Sequence, residues 1–83
     1  MRLLVTFHSV SQALLLEAEG KERGFFCALI PAPRSLSSSC GYAAETEAET
    51  AERLTVLLSE MNVKWEALWQ ETEGCYKELC GNE

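Results

Sequence analysis

The chain has 83 residues, of which 47% are hydrophobic, so it can form one small domain with one core and is not disordered. Its formal net charge is −6 and it has no cluster of lysine or arginine, which makes nucleic acid and anionic membranes poor partners. The apolar run Leu3–Phe7 is too short for a signal peptide or a membrane span. We therefore expect a cytoplasmic protein.

Arg2–Phe7 is the first predicted strand, because it holds β-branched and aromatic residues and no helix start. The residues that follow match a capping box, with Ser9 as the N-cap and Gln12 at the third helical position. They predict a first helix that continues to about Arg23. Gly24 then stands where a left-handed residue commonly ends a helix.

Phe25–Ile30 is short and apolar throughout, which predicts a second strand. Pro31–Gly41 predicts a loop, because its two prolines break regular structure and its three consecutive serines offer hydroxyl groups with almost no apolar surface. The glycine at the end of this loop lets the backbone turn tightly. A short third strand, Gly41–Glu45, is expected to lead out of the loop.

Thr46–Glu49 is a second match to the capping box and predicts the start of a second helix. Hydrophobic residues then recur at helical spacing to about Asn62, namely at Ala51, Leu54, Leu57, Leu58 and Met61. Val63–Gln70 alternates and predicts a fourth strand, with Trp65 and Trp69 on one face. The two tryptophans fit either core positions or, on an edge strand, a partner surface.

These elements follow in the order strand, helix, strand, strand, helix, strand. In so short a chain this order predicts an α+β ferredoxin-like βαββαβ sandwich, a four-stranded antiparallel sheet with two helices on one face. A thioredoxin-like fragment and a small doubly wound sheet are the alternatives, and both usually need a longer chain. Residues 1–72 would form this single domain, and residues 73–83 would be a C-terminal tail that contains cysteine.

The tail holds Cys75 and Cys80, whose spacing does not stack the two side chains on one helix face. We expect a frayed, partly helical end with incidental thiols. The alternative is a second redox pair or a soft-metal site. Because the fourth strand runs away from the Pro31–Gly41 loop, the tail is expected to leave the domain at the end opposite to Cys40.

Cys40 is the candidate nucleophile of the loop. The predicted topology makes strands 1 and 3 central neighbours, so the end of strand 1, the start of helix 1 and the loop lie at the same end of the sheet. Helix N-terminal amides and nearby positive charge both favour a thiolate. Arg34 and His8 are the candidate charges, and the backbone and hydroxyl groups of Ser37, Ser38 and Ser39 offer an anion-holding nest.

The candidate site is therefore the Cys40 thiol with six residues around it, His8, Ser9, Arg34, Ser38, Ser39 and Gly41. Simpler roles remain open, since a cysteine after a serine run is commonly just part-buried, and His8 and Arg34 fit a strand end and a solvated loop. Cys27 lies in an apolar strand and is interpreted as a core residue. The four cysteines form no Cys-x-x-Cys pair, and neither a disulfide framework nor a zinc site is predicted.

Two stretches together resemble a known family, Leu-Val-Thr-Phe-His-Ser at residues 4–9 and Pro-x-Pro-Arg-x-Leu-Ser-Ser-Ser-Cys-Gly at residues 31–41. Over about residues 2–70 the chain is similar to small bacterial domains of unknown function called "putative selenium/sulfur carrier protein-like". The resemblance implies a compact α+β domain whose motif cysteine, Cys40, carries sulfur or selenium as a persulfide or selenopersulfide. The tail after about Thr72 is not part of the family pattern.

We expect a thiol carrier more than a turnover enzyme, with no cofactor and no metal. Its partners would be a sulfur or selenium donor protein and an acceptor protein, without nucleic acid or membrane, and a homodimer is left open. The alternative is a regulatory or assembly module of ferredoxin-like fold in which Cys40 is structural. A weaker third interpretation is metal handling by Cys75, Cys80 and another ligand.

Overall fold

The computed structural model describes residues 1–36 and 38–81, and in these residues a five-stranded antiparallel sheet carries two helices. Their bounds, in chain order, are β1 (Arg2–Thr6), α1 (Val10–Arg23), β2 (Cys27–Pro31), β3 (Tyr42–Glu47), α2 (Ala51–Glu60), β4 (Ala67–Thr72) and β5 (Cys75–Gly81). The α+β class is confirmed, whereas the prediction of a four-stranded sheet is wrong. Ser37, Asn82 and Glu83 lie outside the described residues, so the interpretation of Ser37 as part of a nest is not addressed.

The strands lie in the order β2-β3-β1-β4-β5, and every neighbouring pair is antiparallel. Strand β1 is central and pairs with β3 and β4, so the predicted neighbourhood of strands 1 and 3 is confirmed. The predicted bounds of the first three strands differ from the observed ones by one or two residues, which is the usual uncertainty at element ends.

The tail forms the fifth strand, and the prediction of a frayed, partly helical end is wrong. Glu73 and Gly74 form the two-residue turn between β4 and β5, with φ of 51° and 80°. Two consecutive positive φ values are typical of a type I′ hairpin turn, whose twist matches that of antiparallel strands. Since β5 runs back along β4, Gly81 pairs with Ala67, and the tail returns to the end from which β4 starts.

Helix α1 begins and ends where the sequence predicts. Ser9 is the N-cap, and Gly24 ends the helix with a φ of 69°. The reciprocal capping box is wrong, however: the Ser9 side chain makes no cap hydrogen bond, and the Gln12 Oε1 accepts from the backbone N of Lys64 at 2.9 Å. The Gln12 side chain thus bonds to the backbone amide of Lys64 and not to that of Ser9. Tertiary contacts can override local preferences in this way.

Helix α2 begins later than predicted. The Thr50 side chain, rather than that of Thr46, caps it by accepting from the Arg53 amide at 3.1 Å. Thr46 is buried in β3, where it pairs with Leu3 on one side and Cys27 on the other. The capping box predicted at Thr46 is therefore wrong, because Thr46 is part of β3 and pairs with both neighbouring strands.

Strand β4 begins at Ala67 rather than at Val63, which corrects the prediction about the tryptophans. Trp65 precedes the strand and packs against the cluster under the helices, while Trp69 packs on the other face of the sheet. They do not share a face. β4 is also not an edge strand, because it pairs with β1 and β5.

Two hydrophobic clusters cover the two faces of the sheet. The main cluster lies under both helices and is formed by Leu3, Val5, Phe7, Ala13, Leu16, Ala44, Leu54, Leu58, Met61, Val63 and Leu68. The predicted placement of both helices on one face is thereby confirmed. On the opposite face a second cluster contains Leu4, Leu36 and Ala43. Leu36 belongs to the Pro31–Gly41 loop, so this loop folds over the sheet and is anchored there.

Candidate functional site

The loop that carries Cys40 is held at its base and at Leu36, and it ends in a glycine turn. The Ala32 amide donates to the Gly41 carbonyl at 2.9 Å, which closes the base of the loop. Leu36 is buried on the sheet, and its amide donates to the Pro33 carbonyl at 2.9 Å. Gly41 has a φ of 79°, the left-handed conformation that glycine adopts without strain. The turn predicted at Gly41 is thus confirmed, and it aims the chain from Cys40 into β3.

Cys40 is half-buried two residues before the Tyr42 at which β3 starts. Its Sγ lies 3.5 Å from the Tyr42 carbonyl oxygen and 3.8 Å from the Ser38 Oγ. The Ser38 hydroxyl also donates to the Tyr42 carbonyl, at 3.0 Å. Thus a thiol and a hydroxyl converge on one acceptor. The Ser38 O–H is the group that can rotate toward the sulfur when the sulfur carries negative charge.

Glu66 joins the loop to the end of β1. Its carboxylate accepts from the Ser39 Oγ at 3.0 Å and from the Ser39 backbone N at 3.4 Å. The same carboxylate lies 3.4 Å from the Nδ1 of His8. The Glu66 backbone N in turn donates to the Thr6 carbonyl at 2.6 Å. The Glu66 carboxylate therefore occupies both donors of Ser39, one of the serines that the sequence offered for binding an anion.

The structure brings only some of the predicted site residues together. His8 and Ser39 meet on Glu66, and Ser38 meets Cys40, which supports the predicted common end. Ser9 is exposed, and its Oγ lies 3.0 Å from the Ser11 Oγ. Arg34 is exposed in the turn that ends at Leu36. Within the described residues, neither Ser9 nor Arg34 has a hydrogen bond or an ion pair with Cys40.

Sequence reasoning missed Glu66. The predicted strand Val63–Gln70 puts Glu66 on the face opposite to the two tryptophans, whereas the residue stands in a bend before β4. Its partner Ser39 lies 27 residues earlier. No local pattern marks such a contact, and only the strand order makes these two positions neighbours.

We expect replacement of Glu66 by alanine to loosen the loop around Cys40. The substitution removes both acceptors of Ser39, and hydrogen bonds to a charged, part-exposed group stabilise by about 1–2 kcal/mol. The free energy of unfolding should fall by that amount in urea, and the Ser39 amide should exchange faster. The matched variant Ser39→Ala removes only the hydroxyl donor and should have the smaller effect. Additive effects in the double variant would show that the two side chains are not coupled.

The other cysteines differ sharply from Cys40 in their surroundings. Cys27, interpreted as a core residue, is half-buried on β2 and packs against the margin of the main cluster. Burial, and then the negative charge of Glu17, raise the pKa of the Cys27 thiol from 9.0 to about 11. At neutral pH Cys27 is therefore a poor nucleophile.

Cys75 and Cys80 do not form a pair. They lie five residues apart along β5, which places them about 16 Å apart at the rise of a strand. Cys75 is exposed beside the hairpin turn, and Cys80 is half-buried against the main cluster at the other end of the strand. The alternative of a second redox pair is therefore wrong. In residues 1–36 and 38–81, no three His, Cys, Asp or Glu side chains are grouped to hold a metal ion.

The raised pKa of Cys27 predicts a pH dependence of stability. The folded chain keeps the Cys27 proton up to about pH 11, whereas the unfolded chain loses it from about pH 9.0. Unfolding thus releases a proton in this window, and the free energy of unfolding should fall as the pH rises through it. Below pH 9.0 Cys27 contributes no slope. Urea titrations of the wild type and of Cys27→Ala should diverge in this window, and parallel curves would contradict the assignment.

Comparison with known proteins adds one finding. A protein-family model described as "Putative Se/S carrier protein-like" matches residues 2–70, which include Cys27 and Cys40 and leave β5 outside. No curated protein and no solved structure matches the chain. In the described part of the chain, neither helix is long and apolar enough to cross a lipid bilayer.

Proposed function

Because the chain belongs to the Se/S carrier protein-like family, we propose that it carries a sulfur or selenium atom on Cys40 and passes this atom between proteins. The family description names selenium and sulfur as the cargo. A side-chain atom of this chain must then bind the transferred atom. Persulfide and selenopersulfide are the forms in which a cysteine thiol holds such an atom.

One observation carries the choice of Cys40. The matched region contains two cysteines, and Cys27 is disfavoured because its pKa is raised to about 11 by burial and by Glu17. Cys40 lies instead in a loop at the end of the sheet, with its sulfur beside a hydroxyl group. Ser38 and Gly41 flank this thiol, and Ser39 and His8 both contact Glu66. Ser9 and Arg34 are proposed as outer residues of the site on the basis of the sequence alone.

The proposed transfer conserves electrons and needs no cofactor. The Cys40 thiolate attacks the outer sulfur of a cysteine persulfide on the donor. A new S–S bond forms at Cys40, the donor S–S bond breaks, and the donor cysteine leaves as a thiolate. An acceptor thiolate then attacks the outer sulfur on Cys40 by the same chemistry and releases the Cys40 thiolate. With selenium, the outer atom is Se in each step.

Ser38 is suited to a change of hydrogen bond during loading. In the free thiol form, Cys40 donates to the Tyr42 carbonyl, and Ser38 donates to the same oxygen. A persulfide anion has no proton to donate. The Ser38 hydroxyl can then turn from the Tyr42 carbonyl to the sulfur, 3.8 Å away. Ser38 would thus stabilise the loaded, anionic state.

A carrier of this kind requires a donor protein and an acceptor protein, which must both reach the loop. Free thiols are its working state, so we place it in a reducing compartment, the cytoplasm. The strand order β2-β3-β1-β4 with two helices on one face also supports a ferredoxin-like sandwich, to which β5 adds a fifth strand.

The alternative is a regulatory or assembly module in which Cys40 is structural. Its supporting observation is that Cys40 packs against the main cluster and donates its thiol proton to Tyr42. On that alternative, Cys40→Ala should lower stability, and no sulfur should be transferred through residue 40.

Sulfur transfer followed by mass spectrometry tests the proposal. The full chain is treated with a small-molecule persulfide, freed from the reagent, and mapped by peptides under non-reducing conditions. We expect one added sulfur atom on the peptide that contains Cys40, and its loss to an added acceptor thiol. Sulfur found only on Cys75, the most exposed of the four thiols, would overturn the proposal.

A further inference from the structure

The two edges of the sheet differ in how they are protected. The edge strand β5 carries Lys77 and Glu78, and a register shift interrupts its pairing with β4. Charges and bulges of this kind keep an edge from pairing with another chain. The opposite edge strand, β2, reads Cys-Ala-Leu-Ile-Pro and carries no charge. Strand β2 is therefore the less protected edge, with Pro31 at its end as the one residue that limits pairing.

The unpaired backbone groups of β2 are self-complementary. The Ala32 amide bonds toward β3, and backbone groups alternate between the two sides of a strand, so Ala28 and Ile30 also bond toward β3. The N–H and C=O groups of Cys27 and Leu29 then point away from the sheet. Pro31 also has an outward position and has no N–H, so this pairing lacks one bond at each end, the one to the Cys27 carbonyl of the second copy. Two antiparallel copies centred on Leu29 can exchange both Leu29 bonds, and each Cys27 N–H meets a Pro31 carbonyl.

A cleft next to β2 has the shape and chemistry to receive the same chain. Phe25, Phe26 and Cys27 line a cleft of about 390 Å³ together with Glu17 and Lys21 of α1. In the antiparallel register centred on Leu29, residues 25–27 face residues 31–33 of the second copy. Those residues are Pro-Ala-Pro, which are compact and uncharged. Phe26 is 55% exposed and lies beside this position.

A stripe on α1 that is apolar at Val10 and Leu14 and charged at Glu17 and Lys21 extends this surface. Val10, Leu14, Glu17 and Lys21 follow at spacings of four, three and four, so they share one face of the helix. Glu17 and Lys21 line the cleft beside β2. The stripe therefore lies on the same side of the domain as the edge strand β2. Val10 and Leu14 are 44% and 51% exposed. Two short strands alone bury less than the roughly 1,000 Å² of a stable interface, and the stripe adds area on the same side.

We propose that β2 pairs antiparallel with the β2 of a second copy of this chain, with Leu29 at the two-fold axis and the stripe of α1 packed against its symmetry mate. The sheets then join into one continuous sheet of ten strands, five from each copy. The interface is isologous, as in most homodimers. Cys40 lies outside the paired residues of this interface. The paired strand ends at Pro31, which is also the first residue of the Cys40 loop. This proposal does not depend on what Cys40 carries.

Each copy carries a net charge of −6, so two copies repel each other at low ionic strength. Association through an uncharged strand and the apolar part of the stripe, Val10 and Leu14, should therefore become tighter as salt is added. An interface built on ion pairs would become weaker instead. This salt dependence separates the two kinds of contact.

Sedimentation of the full chain from micromolar to millimolar concentration tests the assembly. We expect a monomer–dimer equilibrium, weakened at least about tenfold by Leu14→Lys, because two like charges would meet near the axis. Val56→Lys is the matched control, since Val56 is 52% exposed on α2, away from β2. Val56→Lys should dimerise as the wild type does. A monomer at every concentration, or equal dimerisation of both variants, would overturn the proposal.

Amide exchange by NMR tests the register. At high concentration the outward amides of Cys27 and Leu29 should be protected, and dilution should release them. The inward amides of Ala28 and Ile30 should be protected at both concentrations, because they bond to β3. A dimer in which Cys27 and Leu29 exchange freely would place its interface elsewhere on the chain, and would also overturn the proposal.

Discussion

A chain that ends at Thr72 is expected to be less stable than the full chain by at least about 3 kcal/mol. The truncation removes β5, which pairs with β4 along its whole length. It exposes apolar surface of the main cluster that Leu79 and Cys80 cover, and surface of the second cluster that Tyr76 covers. Losing three part-buried side chains at roughly 1 kcal/mol each accounts for this minimum, before the unpaired backbone of β4 is counted.

Urea unfolding followed by tryptophan fluorescence measures this loss. Trp69 lies on β4 and packs against the same cluster as Tyr76, so its emission reports on the strand that loses its partner. Cys75→Ser is the control in β5, because Cys75 is exposed next to the turn and should change stability by less than about 0.5 kcal/mol. An unchanged unfolding curve for the truncated chain would show that residues 73–81 behave as a free tail.

Replacing Cys40 by serine is expected to abolish sulfur loading at this site, lowering its rate at least about a hundredfold. A serine hydroxyl keeps its proton at neutral pH and cannot form the S–S bond that holds the cargo. The side chain keeps its size and its hydrogen bond to Tyr42, so the fold should persist. Loading with a persulfide reagent, followed by intact mass, measures the effect.

Cys75→Ser is the matched control for this loss. It removes a thiol that is more exposed than Cys40 but lies on β5, outside residues 2–70. Loading at residue 40 should continue as in the wild type. Undiminished loading of Cys40→Ser, with the sulfur mapped to Cys75 or Cys80, would remove the chemical basis of a carrier site at Cys40.

Local signals in the sequence predicted α1 well. Ser9 and Gly24 are residues whose backbone preferences suit the two ends of a helix, and both stand where the structure needs them. The capping box at Thr46 failed for a physical reason. A threonine that suits an N-cap equally suits a strand, and β3 offered it two neighbours to pair with.

The fifth strand escaped prediction because β5 lacks a regular hydrophobic alternation. Lys77 and Glu78 interrupt it, and its pairing with β4 shifts register. Its turn, Glu73-Gly74, is a less usual pair than Asn-Gly or Asp-Gly at positions with positive φ. The pairing becomes evident only once β4 is placed, because β4 supplies the hydrogen-bond partners.

The candidate site was predictable at the level of the loop and not at the level of contacts. Pro31–Gly41 and Cys40 stand out in composition, and the strand order brings His8 toward the loop through Glu66. Glu66 itself could not be predicted. Its carboxylate accepts hydrogen bonds from the two donors of Ser39, which were expected to bind a free anion. This contact depends on how three strands are arranged, and no local pattern shows that arrangement.

The central claim is that Cys40 is the reactive thiol of this chain. The most direct test is the alkylation rate of each of the four cysteines in the folded protein, measured against pH and resolved by peptide mapping. We expect Cys40 to react first, ahead of the more exposed Cys75, and Cys27 to react last because burial raises its pKa to about 11. A Cys40 that is inert, or no faster than the thiols of β5, would contradict it.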